Sequence, residues 1–164
     1  MPATLIVNLM TVVHKGSSGQ AIFFPDVCLT PAPPAPPVPI PYPNIAMSSD
    51  TDKGTTTVKV DGNPIMVQDS VFKQSTGDEA GTVKGVVSHQ TKGKAEFVNF
   101  SFDVKADGKM VARLLDPMVG NEMMGKPPNT PPSPELQPPN VAIPLVLMEE
   151  KKGDWDIVDA QEDD

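Results

Sequence analysis

Three side chains in this sequence could hold a soft metal or activate a nucleophile: His14, Cys28 and His89, its only histidines and its only cysteine. A closed structural zinc site takes about four nitrogen or sulfur ligands in a tetrahedron. Three are on offer, with no tight pairwise spacing, and a carboxylate such as Asp116 could complete the set. The plainer reading makes Cys28 a small buried hydrophobe and places the histidines in turns. A Cys28–His pair would also suit nucleophilic attack. However, "LTPAPP" follows the cysteine, where a helix N-terminus would be needed to lower its pKa. Asp78 and Glu79 are adjacent, so in extended chain they point to opposite faces and form no facing acid pair. "GKPPNT" lacks the spacing of a phosphate-binding loop. The residues carry no enzyme signature, and the chain reads as non-enzymatic.

The elements that must position these residues are short and irregular. Twenty prolines and twelve glycines in 164 residues make a turn-rich chain, and 5% aromatics leave a small core of Val, Ile, Leu, Met and six Phe. Length suits one domain plus an extension. Residues 1–126 carry 11 Lys/Arg against 12 Asp/Glu, whereas residues 127–164 carry 2 against 9. The body is thus nearly neutral and the tail acidic. No basic patch appears, which argues against nucleic acid or an anionic membrane as partner. One cysteine excludes an intrachain disulfide and fits a reducing compartment. The N-terminus has no basic run ahead of a long apolar stretch, so no secretory signal is expected, and nothing is long and apolar enough to span a bilayer as a helix.

Two Asp-Gly pairs, Asp61-Gly62 and Asp107-Gly108, sit between β-branched residues and predict hairpins. "VKVDGNPIM" (58–66) and "VKADGKMVA" (104–112) align without a gap, 46 residues apart. Val98, Phe100, Phe102 and Val104 alternate with polar residues and predict a strand with one apolar face. Further strands are expected over Leu5–Val13, at Val86–Val87 and over Met110–Leu114, with no amphipathic helix before residue 126. Residues 31–43, "PAPPAPPVPIPYP", hold eight prolines in thirteen. Proline lacks a backbone N–H and fixes φ, so neither a helix nor a central strand is expected there. A stiff wall that ends strand pairing suits the composition better than a flexible linker, which would be Gly/Ser-rich. A second proline-rich run, 127–140, reads as a linker. The end, "DWDIVDAQEDD", reads as a solvated acidic tail or as a short peptide with Trp155, Ile157 and Val158 as anchors.

"VKADGKMVARLLDP" (104–117) resembles the strand–turn–strand of the PAAR family. Gly108, Ala112, Arg113 and Asp116 match its motif, while Met110-Val111 replace the Pro-Ala half. "VVHKGSSG", "VPIPYPNIAMSSDT", "VKVDGNPIM", "STGDEAG" and "KGKAEFVNFSFDVKADGK" follow in order, and the whole is similar to the PAAR-like branch over roughly residues 8–122. That resemblance implies an all-β fold: a small β-cone of hairpins and extended Pro/Gly-rich loops over 1–126, with a Pro-rich acidic extension over 127–164. It implies a non-enzymatic tip protein, one per trimer, capping the trimeric valine-glycine-repeat spike of a type VI secretion or related contractile injection system. The family's metal site is a three-His, one-Cys zinc cage near the tip, so zinc at His14, Cys28 and His89 is its expected cofactor, short by one histidine. An effector or adaptor would be recruited through 127–164. The chain would be monomeric by itself, cytoplasmic before assembly, exported on the apparatus without a signal peptide, and in contact with the target membrane only during puncture. The alternatives are an effector-loading adaptor, a small metal- or thiol-dependent enzyme, or a polyproline ligand.

Overall fold

The structure, a computed structural model, describes residues 4–138. Apart from one 3-10 turn at Ser48–Asp50, every regular element among these residues is a β-strand. A hairpin of β1 (Ile6–Val7) and β2 (Met10–Thr11) comes first. A long ribbon follows, β3 (Gln20–Ala32) against β4 (Ala35–Met47). After β5 (Thr51–Asp52), a second hairpin pairs β6 (Lys59–Val60) with β7 (Asn63–Pro64). Then come β8 (Val71–Phe72), β9 (Ser75–Thr76) and β10 (Lys94–Phe97). A third hairpin joins β11 (Lys105–Ala106) to β12 (Lys109–Met110), and β13 (Pro117–Glu122) and β14 (Ser133–Leu136) close the described chain. The large sheet runs β5-β8-β10-β13-β14-β3-β4-β9.

Both Asp-Gly hairpins are present, with φ of 51° and 77° at Asp61-Gly62 and 50° and 77° at Asp107-Gly108. Two successive left-handed residues are what a two-residue hairpin turn demands, and Gly meets that demand without a Cβ clash. The first hairpin makes the same turn with Asn8 (φ 51°) and Leu9 (φ 68°). The expected single strand over Leu5–Val13 is therefore a third copy of the hairpin.

The three copies close into a ring. Val13 N–H donates to the Ala112 carbonyl (3.1 Å), Ala112 N–H to Met66 (3.0 Å), and Met66 N–H back to Val13 (2.8 Å). The next step repeats it: Lys15 to Pro64 (3.2 Å), Gln68 to Met110 (2.8 Å), Leu114 to Thr11 (2.8 Å). The bridges Val12↔Arg113, Ile65↔His14 and Val111↔Val67 follow the same cyclic order. Side chains alternate along extended chain. So Val12, Ile65 and Val111 enter one core cluster with Val7, Val67 and Ala106. Val13, Met66 and Ala112 enter another with Phe23, Phe72, Phe97 and Met118. One chain thus builds a pseudo-threefold ring.

Other expectations need correction. Residues 98–104 form no strand: β10 ends at Phe97, and Phe102 is 78% exposed. Here side chains compete with the ladder. Ser101 Oγ accepts the Val104 N–H (3.1 Å) and donates to Asn8 Oδ1 (2.7 Å), and Arg113 Nη2 donates to the Phe100 carbonyl (3.2 Å). Val86–Val87 is turn-like, fastened to β3 by Val86 N–H on the Val27 carbonyl (3.0 Å). The strand expected over Met110–Leu114 stops at Met110 and continues only as the bridges of Val111 and Arg113. Residues 133–136, inside the run read as a linker, are β14, paired with β13 and β3.

A strand does run through the proline stretch, and the spacing explains how. Leu29 and Val27 turn their backbone toward residues 83–86, away from β4. The ladder bonds to β4 therefore fall on the alternate pairs, Asp26↔Tyr42, Cys28↔Ile40 and Thr30↔Val38. Pro37, Pro39, Pro41 and Pro43 occupy the intervening positions, whose N–H would point to the outer edge. They cost the ribbon no bond and leave that edge without donors. The Trp155, Ile157 and Val158 reading lies outside the described residues.

Candidate functional site

The hairpin end of the ring is the first candidate. Its cluster is floored by Leu5, Val58, Val60 and Val104, all half-buried. Each turn is tied to the neighbouring third. Thr4 Oγ1 donates to Asp61 Oδ2 (2.7 Å), the Thr56 N–H to Asp107 Oδ2 (2.7 Å), and Asn8 Nδ2 to Asp103 Oδ1 (2.9 Å). A side-chain bond from the Thr57 hydroxyl holds the carboxyl of Asp107 below the usual aspartate range, and the Asn8 amide does the same for Asp103. Each third thus contributes apolar side chains to this end, Leu5 from the first, Val58 and Val60 from the second and Val104 from the third.

Arg113, the arginine of the motif, is a buried clamp in this ring. Its Nε and Nη2 reach Asp116 Oδ2 and Oδ1 (3.1 and 3.0 Å), and its Nη1 reaches Asn8 Oδ1 (3.0 Å). Asp116 is 3% exposed and engaged by the arginine, so it lies with Arg113 and not with Cys28. His14, in the equivalent place of the first copy, is fully buried. Its Nδ1 accepts the Gly16 N–H (3.0 Å), which puts the proton of the neutral ring on Nε2, 3.5 Å from Asp61 Oδ2. Burial lowers the His14 pKa, partly offset by the Asp61 charge.

The second candidate is a buried polar hub on the ribbon. Asp26 and Asn44 sit across β3 and β4, both fully buried. Asn44 Nδ2 donates to Asp26 Oδ2 (2.7 Å). Asn121 Nδ2, from β13, donates to Asp26 Oδ1 (3.1 Å), and so does Asn129 Nδ2 from the stretch before β14. The Cys28 thiol faces Asp26 Oδ1 at 3.7 Å and Asp78 Oδ2 at 3.9 Å. Burial, followed by the charges of Asp26 and Asp78, pushes that thiol up to about 12, so it is protonated and inert as a nucleophile. Burial also raises Asp78 to about 6. Both Asp78 oxygens accept the Lys92 N–H (3.1 and 3.3 Å).

Among the described residues, Asp26, Cys28 and Asp78 form the one group of His, Cys, Asp and Glu whose ligand atoms lie within 4.8 Å of one another. The structure does not bring His14, Cys28 and His89 together. His14 belongs to the hairpin ring, and His89 is exposed in a turn at φ 56°. Sequence reasoning missed Asp26, Asn44, Asn121 and Asn129. The available signal was the aspartate in "AIFFPDVC": a charge inside an apolar strand must find buried partners. A surface cavity of about 370 Å³ lined by Lys15, Gly16, Ser18, Gly19, Met47, Ser48 and Ser49 has no acid or thiol in its wall.

A family model described as "Toxin PAAR-like domain" matches residues 19–127. The curated protein "DNase toxin Tse7" of Pseudomonas aeruginosa is 42% identical over 143 residues, which cover 83% of this chain. The chain spans 37% of the length of that relative. No solved structure matches.

Proposed function

Since this chain belongs to the toxin PAAR-like domain family, we propose that its body is the tip piece of a contractile injection apparatus, seated on the trimeric valine-glycine-repeat spike. The cyclic hydrogen-bonded ring of Val13, Met66 and Ala112 carries this reading. A pseudo-threefold end suits a threefold partner, where each third can face an equivalent subunit. The half-buried apolar floor of Leu5, Val58, Val60 and Val104 suits the open end of a β-structured trimer. The proline-blocked outer edge of β4 supports a terminus over a link in a longer assembly. The protein would assemble in the cytoplasm and leave with the apparatus.

The relative's name assigns it a DNase, and this chain spans only 37% of that protein. We assign delivery to this chain and the nuclease to the remainder of the relative. In support, the acidic hub is already occupied by carboxamides, and its thiol is protonated. The acidic stretch beyond residue 138 then serves to recruit an effector or adaptor. Here the marked charge split of the sequence is the motivation.

Co-expression with the spike tests the reading. We expect one copy of this chain per spike trimer, retained when residues 139–164 are deleted and lost when Val58 and Val104 are both changed to lysine in a variant that still melts cooperatively. A chain that never co-purifies with spike, or that degrades plasmid DNA by itself with added magnesium, would replace this reading with the effector one.

A further inference from the structure

The family resemblance implies zinc near the tip, and the residues present do not fit it. We propose that the Asp26 carboxylate, clasped by the carboxamides of Asn44, Asn121 and Asn129, is a metal-free keystone that ties the proline ribbon to the rest of the body. The first ground is the donor set. Two carboxylates and one thiol converge, and no histidine joins them. The second is occupancy. Asp26 Oδ2 accepts from Asn44, and Oδ1 from Asn121 and Asn129. A cation in the cluster would meet N–H hydrogens where it needs lone pairs.

The third ground is that the amides are held in this orientation. Swapping O and N on a side-chain amide often gives an equally good network, but here it does not. Asn121 Oδ1 accepts the Gly93 N–H (3.0 Å), and Asn129 Oδ1 accepts the N–H groups of Val87 (2.8 Å) and Ser88 (3.3 Å). Backbone N–H can only donate, so these oxygens must face it and the NH2 groups must face Asp26. Asn44 is fixed by its two acceptors instead, since its buried Oδ1 accepts no hydrogen bond among the described residues. Ser75 Oγ gives its proton to the Gly93 carbonyl (2.7 Å) and so accepts from Asn44 Nδ2 (2.9 Å). The remaining NH2 hydrogens go to backbone as well, Asn121 to the Gln90 carbonyl (2.8 Å) and Asn129 to the Val27 carbonyl (2.9 Å). One carboxylate thereby fastens β3, β4, β13 and the segment entering β14. Metal coordination supplies that kind of cross-link in small domains, and hydrogen bonds to a charge do so here.

The test uses the full chain, produced in zinc-supplemented medium and purified without chelator. Metal is counted by mass spectrometry, and melting is followed with excess zinc and with EDTA. We expect well under one ion per chain and a Tm that neither addition moves. Asp26→Asn sets an amide against three amides and should lower Tm by about 10 °C or more, the loss of several charge-assisted bonds. Cys28→Ser should move it by only a few degrees. If Asp26→Asn yields no soluble protein, Asn129→Ala should still show a lowered Tm that zinc does not restore. One equivalent of bound metal, a fall in Tm with EDTA, or wild-type melting of the Asp26 and Asn129 variants would each overturn the proposal.

Discussion

Replacing Glu135 with glutamine should stabilise this protein, and the gain should depend on pH. Glu135 lies in β14, fully buried, with Oε1 unpartnered and Oε2 accepting only the Gln137 Nε2–H (3.2 Å). Its carboxyl is packed against the Gly19 backbone, where an added Cβ would fall 1.8 Å from Oε1. Burial raises its pKa from 4.5 to about 8, with the Asp116 charge adding to the rise and the Gln137 bond opposing it. Between those values the folded chain holds a proton that the unfolded chain releases. Stability therefore falls as pH rises through the window, by about 1.4 kcal/mol per unit. It is intact below the unfolded value and levels off above the folded one. At pH 7 the cost is about 3 kcal/mol. Glu135→Gln removes it, so Tm should rise by about 6–12 °C at pH 7. The gain should grow toward pH 8 and vanish near pH 4.5. Thermal melts of both proteins at pH 4.5, 7 and 8.5, read as a difference, isolate this one group. A difference independent of pH, or a variant less stable at pH 7, would refute the reasoning.

Two further outcomes follow from the clamp and the edge. Arg113→Ala leaves Asp116 buried and charged without its partner, a loss of about 3–5 kcal/mol. Urea unfolding should show that loss, with Arg113→Lys recovering only part because a lysine cannot fork to Asp116 and Asn8 together. Restoring N–H groups to the outer edge of β4, by changing Pro39 and Pro41 to valine, should produce self-association that grows with concentration in light scattering, while the parent stays monomeric.

Legibility in the sequence tracked how local each cause was. Asp61-Gly62 and Asp107-Gly108 announced their hairpins because glycine in a left-handed turn is a one-residue fact. Asn8-Leu9 makes the same turn and was missed, since leucine at φ 68° is normally disfavoured. Its support comes from Asp103, Ser101 and Arg113, far along the chain. The alternation of Val98 to Val104 was real, yet Ser101 diverted the backbone. The prolines of 31–43 argue against a central strand. Their period of two, with the N–H positions facing outward, was what allowed a one-sided one. The hub was the least legible part. Cys28 stood out by rarity, but Asp78 meets it from 50 residues away and Asn121 meets Asp26 from 95. Only the tertiary fold makes such residues neighbours.

The ring of three hairpins has a consequence for inheritance. In a true trimer one gene writes all three faces, and any change appears three times. Here each third is spelled separately, so each can drift by itself while the ring of Val13, Met66 and Ala112 keeps the common shape. The thirds already differ where Asn8-Leu9 stands against two Asp-Gly pairs. Whatever is grafted on one third occurs once. On the threefold spike proposed above, such a piece would turn three identical positions into one singular address.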